Sequence, residues 1–195
     1  MAGQKELVQV VAEQMGVPIE SVTVIDRFLA EAGLRTRAKR GRGYTPMTYQ
    51  DAANLIIATA LGGGPKDAVQ QVTGYRSLAA RRVAESAFVS ACGLGDTFGM
   101  ALANMIESVA ASREEFSAHE DAPNHMSAQV ILYGPDPRAE IVLVRAVGVS
   151  TFEFGPMFSK PGDLQRTVHF SQITLGFVGE AISADFPETV PNRSS

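Results

Sequence analysis

Residues 11–25 read Val11-Ala-Glu-Gln-Met-Gly-Val-Pro-Ile-Glu-Ser-Val-Thr-Val-Ile25 and place one glycine between two segments of helical periodicity. Apolar residues before Gly16 recur on one helix face, which predicts a helix over about 4–15. Gly16 suits the left-handed position that ends a helix. Pro18 then stands where a first turn tolerates proline, and a second apolar face continues to Gly33. The pattern therefore predicts two helices joined by a very short turn. Their apolar positions are Leu7, Val10, Val11 and Met15 on the first helix and Ile19, Val22, Ile25, Leu29 and Ala32 on the second.

The rest of the first half is interpreted as one loop and three more helices. Helical periodicity disappears over 34–47, where Arg, Gly, Tyr and Pro dominate, so this segment is expected to be a loop or a short hairpin. Thr48 and Asp51 then match a capping box at the start of a helix. The three predicted helices run from Ala52 to Leu61, from Pro65 to Gly74, and from Leu78 towards Cys92.

The periodicity changes from helical to alternating in the second half. One more helix face runs from Phe98 to Val109, before a polar stretch at 112–124. Beyond it, β-branched and aromatic runs between turn residues are typical of strands. The segment 173–182 fits a strand or a closing helix, and the tail 187–195 is expected to be frayed. The predicted strands are 128–133, 140–144, 151–154 and 167–170, with a hairpin turn at 134–137. We therefore expect an α+β fold, with one antiparallel sheet whose apolar face is covered by the helix.

The two halves of the chain differ in charge. The whole chain of 195 residues has a net charge of −4. Residues 1–90 hold eleven Lys/Arg and eight Asp/Glu, net +3, whereas residues 91–195 hold six and thirteen, net −7. Net charges of opposite sign suggest that the two halves have different functions. We therefore expect two domains, a helical domain at 1–90 and an α+β assembly or regulatory domain at 96–186.

The first two predicted helices resemble the helix-turn-helix of prokaryotic and phage DNA-binding regulators. Such a pair has a small residue on the first helix and a turn glycine four residues later, here Ala12 and Gly16. The resemblance implies that the second helix enters a major groove, where its outward residues Ser21, Thr23 and Arg27 read base edges. The buried positions that it implies are Met15, Val17, Val22 and Ile25. A plain helical bundle is the alternative interpretation.

Five cations lie within residues 35–42, directly after the candidate recognition helix. Winged-helix proteins place a wing at this point, so the resemblance extends over residues 4–44 and implies a winged helix-turn-helix domain. Lys and Arg neutralise phosphates, and glycines at 41 and 43 let the main chain approach them. The predicted phosphate-binding residues are Arg35, Arg37, Lys39, Arg40 and Arg42. A solvated surface loop is the alternative.

Signals for catalysis are weak in this sequence. It contains no Gly-x-Ser-x-Gly elbow, no Walker lysine loop and no His-Glu-x-x-His pair, so we expect neither an enzyme nor a cofactor. His169 is interpreted as part of the polar face of a strand. One cluster has metal-ligand chemistry, although its polar surroundings favour a solvated loop over a metal site. Its members are His119, Glu120, Asp121 and His125.

The composition is that of a soluble globular protein, with 45% apolar and 19% charged residues. Charged residues appear within the first six, so we expect no secretory signal. No run approaches the roughly 20 apolar residues of a membrane span. These features predict a cytoplasmic protein without a membrane partner.

Regulation of transcription is the function that these patterns favour. We expect binding to double-stranded DNA as a homodimer, because two half-sites match the symmetry of palindromic DNA. One alternative is a phage DNA-packaging accessory protein, similar to a small terminase subunit, that forms a higher homo-oligomer. Another is a protein-interaction or inhibitor protein that meets a basic partner through its acidic C-terminal half.

Overall fold

The computed structural model describes residues 2–37, 45–81, 94–146, 148–156 and 165–183. Within these residues, seven helices accompany one four-stranded sheet, so the predicted α+β class is confirmed. The helices are α1 (Gln4–Met15), α2 (Ile19–Glu31), α3 (Tyr49–Leu61), α4 (Pro65–Arg76), α5 (Phe98–Ala111), α6 (Arg113–Ser117) and α7 (Gln172–Ser183). The strands are β1 (Met126–Gly134), β2 (Arg138–Arg145), β3 (Gly148–Phe154) and β4 (Arg166–Ser171).

The first two helices and the short turn between them form as predicted. Gly16 adopts a left-handed φ of 63°, a conformation that costs most other residues roughly 1–2 kcal/mol. The Val17 amide donates to the Ala12 carbonyl at 3.0 Å, which satisfies a carbonyl at the end of α1. Ala12 is buried, and α1 packs against α2.

The predicted capping box starts α3. The Asp51 amide donates to the Thr48 hydroxyl at 3.1 Å, and the Thr48 amide donates to the Asp51 carboxylate at 2.9 Å. α4 begins at Pro65, as predicted, but continues past Gly74. The added turn buries the ring of Tyr75, whose packing outweighs the low helix propensity of the glycine.

The fifth predicted helix does not start where its periodicity indicates. Ala79 and Ala80 instead form β-bridges to Thr97 and Phe154. This pairing takes the backbone groups that a helix would use, so tertiary contacts override the local pattern. The remainder of that predicted helix, including Cys92, lies outside the described residues.

A short helix also interrupts the stretch that we expected to be a polar loop. α6 spans Arg113–Ser117, directly after α5. Its Phe116 packs against the hydrophobic core, which explains why the chain makes one more turn before it reaches the sheet.

All four strands pair antiparallel, in the order β3-β2-β1-β4. β1 and β2 form the predicted hairpin, with Val130 opposite Ile141. β4 lies on the other side of β1 and places Phe170 opposite the same valine. The segment 173–182, for which the sequence left two possibilities, is helical and belongs to α7.

One face of the sheet is apolar and buried. α5 lies over this face, with the Phe98 ring centroid 5.4 Å from that of Phe154. His169 is exposed on the opposite face, as predicted, and its Nδ1 lies 3.3 Å from the amide nitrogen of Gln129. The buried side chains of the sheet are Ala128, Val130, Leu132, Ala139, Ile141, Leu143, Phe152, Phe154 and Phe170.

α7 packs against α1 from the first half and α5 from the second. A Cβ at Gly179 would lie 2.4 Å from the Ile106 carbonyl oxygen and 2.7 Å from the Ala110 Cβ, so α5 and α7 approach closely only because residue 179 has no side chain. Buried residues of both halves belong to one hydrophobic cluster. The described residues therefore share one continuous core, and the domain boundary predicted near residue 90 lies outside them.

The predicted wing at 34–47 is only partly within the described chain. Residues 34–37 and 45–48 form no strand there. Residues 38–44 lie outside the described residues, as does the tail at 187–195. The described residues thus contain the helix pair of the predicted motif without a wing hairpin.

Candidate nucleic-acid interface

α2 turns one face to the core and the other to solvent. Ser21, Thr23 and Arg27, the residues expected to read bases, are all exposed. Thr23 and Arg27 lie on adjacent turns of the same side, whereas Ser21 lies about 160° around the helix axis from Thr23. The structure thus brings two of the three together and places Ser21 on the other flank. The buried residues of α2 are Val22, Ile25, Asp26 and Leu29.

Thr23 and Arg27 keep hydrogen-bonding capacity on this surface. The Thr23 hydroxyl donates to the Ile19 carbonyl at 2.7 Å, so its oxygen still has lone pairs that accept. The Arg27 Nε lies 3.8 Å from the Glu31 carboxylate, and the arginine side chain is 64% exposed. A pair this exposed is weak, so the guanidinium is accessible to a ligand.

Arg35 is buried, which corrects its assignment to a phosphate. Its Nε lies 2.6 Å from the Asp26 carboxylate, and the two side chains are only 5% and 0% exposed. The Gln4 side-chain amide donates to the other carboxylate oxygen at 2.7 Å. A guanidinium enclosed in this way has no surface that a phosphate can contact. It instead links α2, through Asp26, to the chain that follows, while Gln4 of α1 binds the same carboxylate.

Two opposing effects act on the pKa of the Asp26 carboxyl group. Burial raises its pKa above the ordinary value of 3.8, because the charged form loses its hydration. The Arg35 guanidinium and the Gln4 amide oppose this shift by stabilising the carboxylate. Loss of either charged side chain would leave the other charge buried without a partner. The contribution of each residue to the packing of α1, α2 and the following chain therefore depends on the other.

α3 holds the chain on either side of Arg35. The Thr36 amide donates to the Asp51 carboxylate at 2.6 Å, the same carboxylate that caps α3. The Asn54 side-chain amide donates to the Leu34 carbonyl at 2.6 Å. Because Asp51 and Asn54 are buried, these bonds fix where the basic segment begins.

Arg37 is exposed and lies at the C-terminal end of α2. Its Nε donates to the Ala30 carbonyl at 2.8 Å, and one terminal nitrogen donates to the Glu31 carbonyl at 2.7 Å. A cation at this end of a helix is favourable because the last carbonyls carry partial negative charge. Lys39, Arg40 and Arg42 lie outside the described residues, so their phosphate contacts stay predictions.

Our sequence reasoning missed Asp26, although a signal was present. Asp26 lies four residues after Val22 and three before Leu29, which places it on the apolar face of α2. A carboxylate on such a face needs a buried partner. The nearby cations offered candidates, but periodicity alone does not select Arg35 among them.

The histidine cluster before β1 is exposed at residues 119–121, whereas His125 is half-buried. His119 Nδ1 lies 3.6 Å from the Asp121 carboxylate, with side chains 86% and 96% exposed. His125 Nδ1 lies 2.8 Å from the Ala118 carbonyl. Over the described ranges, no group of three or more His, Cys, Asp or Glu side chains is arranged to hold a metal ion.

Among the described helices, none combines the length and apolar character needed to cross a bilayer. Comparison of the chain with protein-family models, with curated proteins and with solved structures yields no match. A function for this chain is therefore inferred from its own geometry.

Proposed function

We propose that this protein binds double-stranded DNA, with α2 in the major groove and the basic segment 37–42 on the phosphate backbone. The observation that carries the proposal is the outer side of α2. It presents Thr23 and Arg27 on adjacent turns, while the buried Asp26–Arg35 pair fixes the inner side to the core.

The chemistry of this surface suits base recognition. An α-helix fits the major groove, where each base pair shows a distinct pattern of donors and acceptors. The Arg27 guanidinium can donate two hydrogen bonds to one guanine, and a threonine can contact several bases. Ser21, at the other flank near the start of α2, reaches a different part of the groove or a phosphate.

The basic segment supplies sequence-independent affinity. Arg37 is exposed beside the end of α2, and it leads into Lys39, Arg40 and Arg42. Each cation that neutralises a phosphate releases a counterion, which makes binding dependent on salt. Arg35 is not one of the proposed phosphate-binding residues, because its side chain is buried against Asp26.

We further propose that the protein regulates transcription in a bacterium or phage as a homodimer. One recognition helix covers few base pairs, and a symmetric pair doubles the contacts on two half-sites. A DNA-packaging accessory protein would use the same helix pair in a larger ring. The number of subunits separates these two uses.

The first experiment measures binding of the full chain to a fluorescently labelled random-sequence duplex at several salt concentrations. We expect the logarithm of the binding constant to fall linearly with the logarithm of the salt concentration. Arg40→Ala with Arg42→Ala should reduce this slope by about two units, because two phosphate contacts are lost. Lys5→Ala removes an exposed cation from α1 and is the matched control, with an unchanged slope.

Absence of salt-dependent binding by the unaltered chain would overturn the proposal, and so would a double variant with the slope of the control. Selection of bound duplexes from a randomised pool then defines the preferred sequence. A light-scattering mass of two chains supports the regulator, whereas a ring of many chains supports the packaging protein.

A further inference from the structure

A cleft of about 590 Å³ lies between α4 and the end of the sheet where β1 and β4 pair. Sites for small molecules usually span roughly 300–1,000 Å³. Burial of an apolar ligand against an apolar wall is favourable because it removes both surfaces from water. The apolar wall of this cleft includes Leu61, Leu132, Pro135, Pro137 and Val168.

Gly74 on α4 keeps this cleft open. A Cβ at position 74 would lie 3.8 Å from the Pro137 Cγ, an ordinary contact that requires no shift of the backbone. A longer side chain there would extend into the space between α4 and the sheet. The width of the cleft therefore depends on the absence of a side chain at one helical position.

One cation at the cleft has no ion-pair partner among the described residues. Arg166, the first residue of β4, is exposed and lines the cleft. None of the ion pairs between described residues involves its guanidinium. A guanidinium offers two parallel N–H donors, which match the geometry of a carboxylate.

Hydrogen-bond acceptors also line the cleft. The buried Gln71 Oε1 accepts no hydrogen bond from the described residues. The Tyr75 hydroxyl donates to the Tyr133 carbonyl, so its oxygen retains capacity to accept. Both residues belong to the lining.

We propose that this cleft binds a small organic anion with an aromatic or aliphatic body, one carboxylate and one N–H or O–H donor. The carboxylate pairs with Arg166, the body packs against the apolar wall, and the donor meets Gln71 or Tyr75. The site is separate from the outer side of α2, so it does not depend on DNA binding.

Indole-3-acetate is a suitable probe because it has a carboxylate, a flat aromatic body and a ring N–H. The protein contains no tryptophan, so indole fluorescence reports on the probe alone. Titration of the full chain into the probe, without DNA, should give saturable binding. Indole-3-acetamide should bind about tenfold more weakly, because it lacks the charge-assisted hydrogen bond.

Two variants and one control locate the probe. Arg166→Gln should bind the acid and the amide equally, and Gly74→Leu should lose both at least tenfold because the cleft is filled. Lys5→Gln removes the same charge from α1 and should bind like the unaltered chain. Melting curves verify that each variant is folded.

The proposal is overturned if the acid does not bind saturably, if acid and amide bind equally to the unaltered chain, or if folded Arg166→Gln keeps the preference for the acid. Because no DNA is present, these results stand whether or not α2 binds DNA.

Discussion

The Arg35 Nε lies 2.6 Å from the Asp26 carboxylate, and this ion pair is enclosed by α1, α2 and the start of the basic segment. An arginine within a cluster of cations is thus part of the core. Its position fixes α2 relative to the start of the basic segment, the two parts that we propose to bind DNA.

Breaking this pair on one side should be costly. We expect Arg35→Met or Asp26→Leu alone to lower the free energy of unfolding by about 3–5 kcal/mol, because each leaves an uncompensated buried charge. The double variant should lose clearly less than the sum. Arg27→Met, which removes the exposed arginine paired with Glu31, should change stability by about 0.5 kcal/mol or less. Urea unfolding measures all four, and additive losses would contradict the coupling.

The two glycines of α7 should respond differently to alanine. At Gly179, a Cβ meets the Ile106 carbonyl oxygen at 2.4 Å, so we expect Gly179→Ala to destabilise by about 1–3 kcal/mol through overpacking. At Gly176, the nearest atom is a terminal nitrogen of Arg113 at 2.6 Å, and this flexible side chain can move. Gly176→Ala is therefore the matched control and should cost less. Thermal unfolding measures both variants. Equal decreases in Tm would contradict the prediction and would mean that α5 and α7 move apart to accommodate the alanine at residue 179.

Tyr75 should make stability sensitive to high pH. Burial raises its pKa above 10.0, so the unfolded chain releases this proton at a lower pH than the folded chain. Stability is therefore lost as pH rises from about 10 towards the folded pKa. We expect Tyr75→Phe to lose about 1–2 kcal/mol at neutral pH, because the Tyr133 carbonyl loses its donor.

The fall in stability between about pH 9 and about pH 11 should be shallower for Tyr75→Phe than for the unaltered chain, which retains this titrating group. Urea unfolding at each pH measures the difference. Parallel curves for the two proteins would show that Tyr75 has the same pKa in both states.

Arg27 should determine a preference for one base. With the selected duplex, Arg27→Ala is expected to relax discrimination at one position at a cost of about 1–3 kcal/mol. Glu31→Gln is the comparison, because it frees the same guanidinium from its partner and should strengthen binding. Competition with single-base variants of the duplex measures both. An equal loss of affinity for every sequence would reassign Arg27 to the phosphate backbone.

Local signals in the sequence are sufficient for most elements of this fold. Gly16 marks the turn between α1 and α2, and the Thr48–Asp51 pair marks the start of α3. β-Branched runs mark β1 and β2, and alternating runs mark β3 and β4. Each of these depends on residues close together in the chain, where period and capping chemistry are informative.

Features that depend on distant residues could not be predicted in this way. Ala79 and Ala80 pair with partners that no periodic pattern identifies. α7 is ambiguous in sequence because Gly176 and Gly179 lower helix propensity, and the close approach to α5 that favours Gly179 is visible only in three dimensions. The cleft at Gly74 likewise exists only because β1 and β4 pair beside α4.

The packing of α7 against α1 bears on how the chain acquires its structure during synthesis. α1 leaves the ribosome well before α7, the helix that completes its surroundings and comes last among the described elements. Contacts between such distant residues form slowly, because a long loop must close before they contribute. Until α7 docks, the part of α1 that contacts α7 stays exposed to chaperones and aggregation, although α2 and α3 already cover the rest of its buried side. The helix pair proposed to bind DNA thus reaches its final packing only after α7 has been made.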